Sequence, residues 1–117
     1  MTADDLAPLL EFWQRQLRIQ DWDVRLSVVR YHQIPGTLGQ CKARVGSRQA
    51  IVSICDPDDI HPDASGADRD PEVTLVHELL HVAFPADMED GTASTTQEQA
   101  IDATARALVL LRRGTPR

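Results

Sequence analysis

Aromatic residues are scarce in this 117-residue chain, at 4% of positions. A core must therefore come from Leu, Val, Ile and Ala, which the ordinary hydrophobic share of 42% can supply. No run of about 18 apolar residues occurs, so no helical membrane span is expected. Cations are in the minority, 12 Lys and Arg against 18 Asp and Glu, for a formal net charge of -6. That deficit argues against nucleic acid as a partner, because phosphate binding needs concentrated positive charge. Arg106, Arg112, Arg113 and Arg117 form only a modest cluster, suited to the negative end of a helix. There are two cysteines, Cys41 and Cys55, and Met1-Thr2-Ala3-Asp4-Asp5 lacks the basic and apolar regions of an export signal. Both features point to a reducing cytosol. The length suits one domain over residues 1–117, able to bury roughly two thirds of its unfolded surface without staples. No internal repeat is present.

Hydrophobic periodicity divides the chain. Leu6, Leu9, Leu10, Trp13 and Leu17 recur at helical spacing and predict a helix over Leu6–Ile19, capped by Asp4 or Asp5, with Pro8 in its first turn. From Asp21 to Arg30 the period becomes two, with Trp22, Val24, Leu26 and Val28 on one face, which predicts a half-buried strand. Pro35-Gly36 is a turn signal. Leu38–Val45 and Ala50–Cys55 read as two more strands joined through Gly46-Ser47-Arg48, an arrangement that would set Cys41 opposite Cys55, as buried thiols rather than a disulfide. The six aspartates from Asp56 to Asp70 lack the spacing of a calcium-binding loop and read as a solvated connection. Asp70 as N-cap, Pro71 at the first helical position and Glu72 after it then open a helix that Pro85 ends. A loop over Ala86–Ser94 leads to a last helix, Thr95–Arg112, whose inner stripe is expected to be Ala100, Ile101, Ala105, Leu108 and Leu111. Helix, three closely spaced strands, helix, helix predicts an α+β domain with a mainly antiparallel sheet.

Within the second helix stands His77-Glu78-Leu79-Leu80-His81. Residues four apart lie one turn apart on the same helical face, so His77 and His81 can hold one metal ion from one side. Glu78, beside the first of them, can reach a water on that metal. This H-E-x-x-H pattern is the zinc metallopeptidase signature. A catalytic zinc site takes a third protein ligand, and no histidine follows His81. The downstream acids Asp87, Glu89, Asp90, Glu98 and Asp102 are the candidates. Glu98 has a competing assignment, because Thr95-x-x-Glu98 fits a capping box. His32 and His61 read as solvated loop residues.

The pentad followed by Gln97-Glu98-Gln99-Ala100-Ile101-Asp102 resembles the gluzincin metallopeptidases, where the third ligand is a Glu on the next helix. By that resemblance Glu98 is the third ligand, and Asp102, one turn later, orients the first histidine. The small size and element order are similar to minigluzincins. The segment from Leu38-Gly39-Gln40-Cys41 to Ile51-Val52-Ser53-Ile54 also looks like SprT-like and phage-encoded metallopeptidases, although the SprT group is expected to use a downstream histidine. The likeness covers residues 20–112. Gln97 and Ile101 depart from the Asn and Ser of the gluzincin motif.

The resemblance implies a zincin-like domain with an active-site helix and a C-terminal glutamate helix. It implies Zn2+ as cofactor, Glu78 as general base, and a peptide or protein substrate paired with a sheet edge at the Ala50–Cys55 strand or its neighbour. Gluzincins also place a Tyr or His after the pentad to stabilise the oxyanion, and here neither occurs beyond His81. Tyr31, His32 and Arg106 are the remaining suggestions for that role. The gap leaves a second reading open, a zinc-binding regulatory or protein-interaction module with little or no turnover.

Overall fold

A computed structural model describes residues 1–59, 70–85, 88–89 and 92–114, with backbone alone at 88–89 and 92–93. The elements in order are α1 (Ala3–Gln16), β1 (Asp23–Val29), β2 (Gly39–Arg44), β3 (Gln49–Cys55), α2 (Pro71–Ala83), β4 (Met88–Glu89), β5 (Thr92–Ala93) and α3 (Thr95–Arg113), with short 3-10 turns at Tyr31–Gln33 and Pro57–Asp59. The domain is α+β, as the order of periodicities predicts. No described helix is long and apolar enough to cross a membrane.

The sheet is mixed rather than mainly antiparallel. Its order is β1-β3-β2, with β1 parallel to β3 and β2 antiparallel to β3. Short connections exclude a crossover helix, but they do not exclude a parallel pair. After β1 the chain passes to the far side of the sheet, returns as β2, and fills the middle as β3. The return stroke of β2 is what lets β1 and β3 run the same way.

The β2–β3 register pairs Cys41 with Val52 and Gly39 with Ile54, so Cys41 and Cys55 are not opposite each other; both are free thiols. Arg48, with φ of 54°, takes the left-handed position in the hairpin turn. At 86–94 the expected loop contains the small β4–β5 antiparallel pair. His61 and most of the acidic connection lie outside the described residues.

Alternation along β3 buries Ala50, Val52 and Ile54 on one face, and Val24, Leu26 and Val28 of β1 pack on the same side. α2 covers that face. Leu75, Val76, Leu79, Leu80 and Val82 are almost wholly buried, so α2 is enclosed by the sheet, α1 and α3 on different sides. Its start matches the sequence signals: Asp70 accepts a hydrogen bond from the Glu72 amide and Pro71 is the first helical residue.

α1 begins earlier than its apolar stripe, because Thr2 caps it and Asp5 accepts from the Thr2 amide at 2.8 Å. Pro8 therefore falls inside the helix, on its exposed side. In α3 the buried stripe is Ile101, Ala105 and Val109, whereas Ala100 and Leu111 are exposed. The register turns slightly from the expected one because α3 packs on one partner, α2, along a narrow i, i+4 seam.

One buried carboxylate ties the three helices together. Glu72, 2% exposed, accepts from Trp13 Nε1 of α1 at 2.8 Å and, bidentately, from Arg112 of α3 at 2.6 and 2.6 Å. Arg113 adds a contact at 2.9 Å and also reaches Asp70. Burial by itself would raise the Glu72 carboxyl, but the hydrogen bonds from Arg112, Trp13 and Arg113 outweigh it and hold it below its ordinary range. Removing one side of a buried pair leaves the rest unpaired, so Glu72→Ala should cost about 3 kcal/mol by chemical denaturation. A carboxyl lowered in the folded state contributes fully above its unfolded value of about 4.3 and loses that contribution as pH falls through the folded value. Stability measured from pH 6 down to pH 3 should therefore fall less steeply in Glu72→Gln than in the native chain.

Candidate metal centre

α2 and α3 run antiparallel, which sets the pentad against the first turns of α3. His77 Nε2 lies 3.0 Å from Glu98 Oε2, and His81 Nε2 lies 2.7 Å from Glu98 Oε1. The three residues each offer a ligand atom, and these atoms all lie within 4.8 Å of one another. Tetrahedral ligands about 2.1 Å from an ion stand about 3.4 Å apart, so the cluster has the dimensions of a metal site. Its donor set, two imidazoles and one carboxylate, suits a borderline metal better than a hard, all-oxygen one. Burial lowers the His81 imidazole pKa, with Glu98 opposing and His77 adding to the fall. The fall favours the neutral imidazole, the form that binds metal.

Glu98 is not used as a helix cap. Ser94 caps α3 and accepts from the Gln97 amide at 3.1 Å, so Thr95 is already helical and the capping box proposed from Thr95-x-x-Glu98 is not made. The Glu98 side chain is left to face α2. One turn on, Asp102 Oδ1 stands 3.6 Å from His77 Nδ1, beyond a direct hydrogen bond but on the far nitrogen of the ring. That is the side from which a carboxylate selects the tautomer whose Nε2 faces a metal. Asp102 Oδ2 in turn accepts from Arg106 Nε at 3.0 Å. His81 has no such support, and its buried Nδ1 lacks a hydrogen-bond partner among the described residues.

Glu78 is 7% exposed and lines a cavity of about 260 Å3 together with His77, Glu98, Asp102 and Arg106. Burial first, and then the charge of Glu98, push its carboxyl up to about 8. Thr37, Leu38 and Gly39 at the start of β2 form the opposite wall. A Cβ built on Gly39 would come within 2.6 Å of Thr74 Cγ2 and 2.8 Å of Glu78 Oε2. The glycine is therefore what lets Thr74 and Glu78 of α2 approach the strand this closely. Of the three residues suggested for the oxyanion role, Arg106 alone lines the cavity, and Gly39 is a site residue the sequence reading did not name. A lone glycine opening a strand marks a close approach, and Arg106 continues the four-residue spacing of Glu98 and Asp102.

Of the other acids considered as third ligand, Asp87 and Asp90 lie outside the described residues, and only the backbone of Glu89 is described. His32 is exposed. Tyr31 accepts from the Gly36 amide at 3.1 Å and is not among the cavity residues. β3 is the central strand, so of the two edges suggested for substrate pairing the Ala50–Cys55 strand is excluded and its neighbour β2 remains. Cys41 on β2 has its thiol pushed up to about 12 by burial and by Glu78, which makes it an inert neighbour of the site.

The native chain is expected to take up one equivalent of zinc by elemental analysis, and His77→Ala, His81→Ala and Glu98→Ala to lose it. Asp102→Asn should weaken metal affinity about 10- to 100-fold without abolishing it. Gly39→Ala should leave the stoichiometry intact while displacing Glu78, an effect read as a changed crystallographic position of its carboxylate.

Comparison of the chain with protein-family models, with curated proteins and with solved structures finds no match.

Proposed function

We propose that the chain is a zinc-dependent metallopeptidase with a zincin-like fold of minimal gluzincin type, hydrolysing peptide bonds. The observation that carries this reading is the convergence of His77 Nε2 and His81 Nε2 on the Glu98 carboxylate, with Glu78 in the wall of the same cavity. Two histidines and one glutamate are the ligand set of a known class of catalytic zinc site. When bound, zinc supplies Lewis-acid chemistry, lowering the pKa of a water to about 7 and polarising a carbonyl.

The chain's own residues do the rest. Glu78 takes a proton from the attacking water at its carboxylate and delivers it to the leaving nitrogen. The 7% exposure of Glu78 shields the transfer from bulk solvent. Asp102 stands 3.6 Å from His77 Nδ1, on the side that orients the ring, and Arg106 donates to Asp102. β2, an outer strand beside the cavity, offers its edge to an extended peptide.

The second reading, a zinc-binding interaction module, draws on the missing downstream Tyr or His and on Tyr31 lying outside the cavity. One pair of proteins separates the two. Glu78→Gln should bind zinc as the native chain does and lose hydrolysis of a peptide library by about 100-fold or more, measured by mass spectrometry. Equal cleavage by both proteins sinks the mechanism, and zinc binding without cleavage by the native chain favours the module.

A further inference from the structure

The sheet has a second face, opposite the one that α2 covers. There Arg25, Lys42, Arg44, Gln49 and Ile51 are exposed at alternate positions of the three strands. The register sets them in rows. Ile51 of the middle strand stands between Arg25 and Lys42, and Gln49 stands between Asp23 and Arg44. These residues line a cavity of about 480 Å3, larger than the one beside the metal ligands. Neighbouring strands are about 4.8 Å apart and alternate residues of a strand about 7 Å apart, so the three cations span a patch roughly 10 Å by 7 Å.

Cations are in excess on this face although the chain as a whole carries -6. Elsewhere arginines are paired, as Arg30 is with Asp59 and Arg112 with Glu72. Lys42 and Arg44 have no acidic partner among the described residues. Arg25 reaches Asp23 only at 3.8 Å, with its side chain 78% exposed. Ile51, 53% exposed, puts an apolar side chain in the middle of the patch. A nucleic acid strand matches this poorly, because no aromatic ring lines the cavity for a base to stack on, and the net charge of -6 repels a long polyanion. An acidic polypeptide matches it better. An extended segment sets alternate carboxylates about 7 Å apart, the spacing of Lys42 and Arg44 along β2, and an apolar side chain among its acids meets Ile51.

We propose that the outer face of the sheet docks an extended, acidic segment of a partner protein, with Arg25, Lys42 and Arg44 as its cations and Ile51 as its apolar contact. The metal ligands lie on the other side of the sheet, so the docking face stands apart from the metallopeptidase reading.

The test is fluorescence anisotropy of a labelled peptide, Glu-Ser-Glu-Leu-Glu-Ser-Glu with blocked ends, and of its counterpart with Gln for every Glu, titrated with the full chain. At about 20 mM salt the acidic peptide should bind about tenfold more tightly, and the preference should shrink at about 0.5 M salt, where exposed charges are screened. It should be the same with zinc and with EDTA, which separates the face from carboxylate binding at the metal. The double variant Lys42→Gln, Arg44→Gln should bring the two peptides within about twofold. Ile51→Ser should weaken both by similar factors and leave the acid preference in place. If the double variant fails to fold, the ratio of the two peptides on the native chain and its salt dependence decide. Equal affinities in the native chain, an undiminished preference in the double variant, or a preference abolished by EDTA overturn the proposal. Tighter binding of a labelled oligothymidylate than of the acidic peptide, at the same salt, overturns it in favour of nucleic acid.

Discussion

The buried Glu72 carboxylate is the constraint on which the rest of the arrangement depends. It sits in the first turn of α2 and gathers Trp13 from α1 and Arg112 and Arg113 from α3. An unpaired buried charge costs several kcal/mol, so those partners are held in place by the penalty of letting go. Because Arg112 and Arg113 lie at the far end of α3, their attachment at the start of α2 sets both the antiparallel direction and the axial register of the two helices. The same register brings Glu98, near the start of α3, level with His77 and His81.

A second constraint acts across the helix rather than along it. α2 is enclosed by sheet and helices, yet it carries Glu72, Glu78 and His81 at low exposure. Each must find a partner or a purpose. Glu72 finds its arginines, and His81 finds Glu98 through Nε2, while its Nδ1 has no hydrogen-bond partner among the described residues. Burial and the charge of Glu98 push the Glu78 carboxyl up. Polar groups kept at such cost inside an apolar helix cluster where chemistry is done.

Much of the local structure was legible from residue types alone. Asp70-Pro71 opens α2 where capping rules place it, and Pro85 follows its end. Period-two alternation marked β1, and the β-forming residues of Ala50–Cys55 marked β3. The pairing of strands was not legible, since short connections look the same whether β2 joins β1 directly or skips past a vacant middle position. Nor was the edge of the sheet, because edge or centre is a property of order, not of a strand's own sequence. Ala100 and Leu111 of the expected α3 stripe are exposed and Val109 is buried instead, because contact with α2 alone separates positions within an apolar tail.

Spacing within one helix determined two pairings in this protein: His77 with His81, and Glu98 with Asp102, each one turn apart on a common face. Those are local facts, guaranteed by 3.6 residues per turn. Which acid meets the histidines was decided only by the fold. A sequence places a carboxylate on a helix, but it does not say how that helix crosses its neighbour. The clamp at Glu72, the Ser94 cap that leaves Glu98 unused, and the Gly39 contact that seats Glu78 each join residues far apart in the chain. Distance between such residues is set by packing, and packing is what the tertiary structure adds.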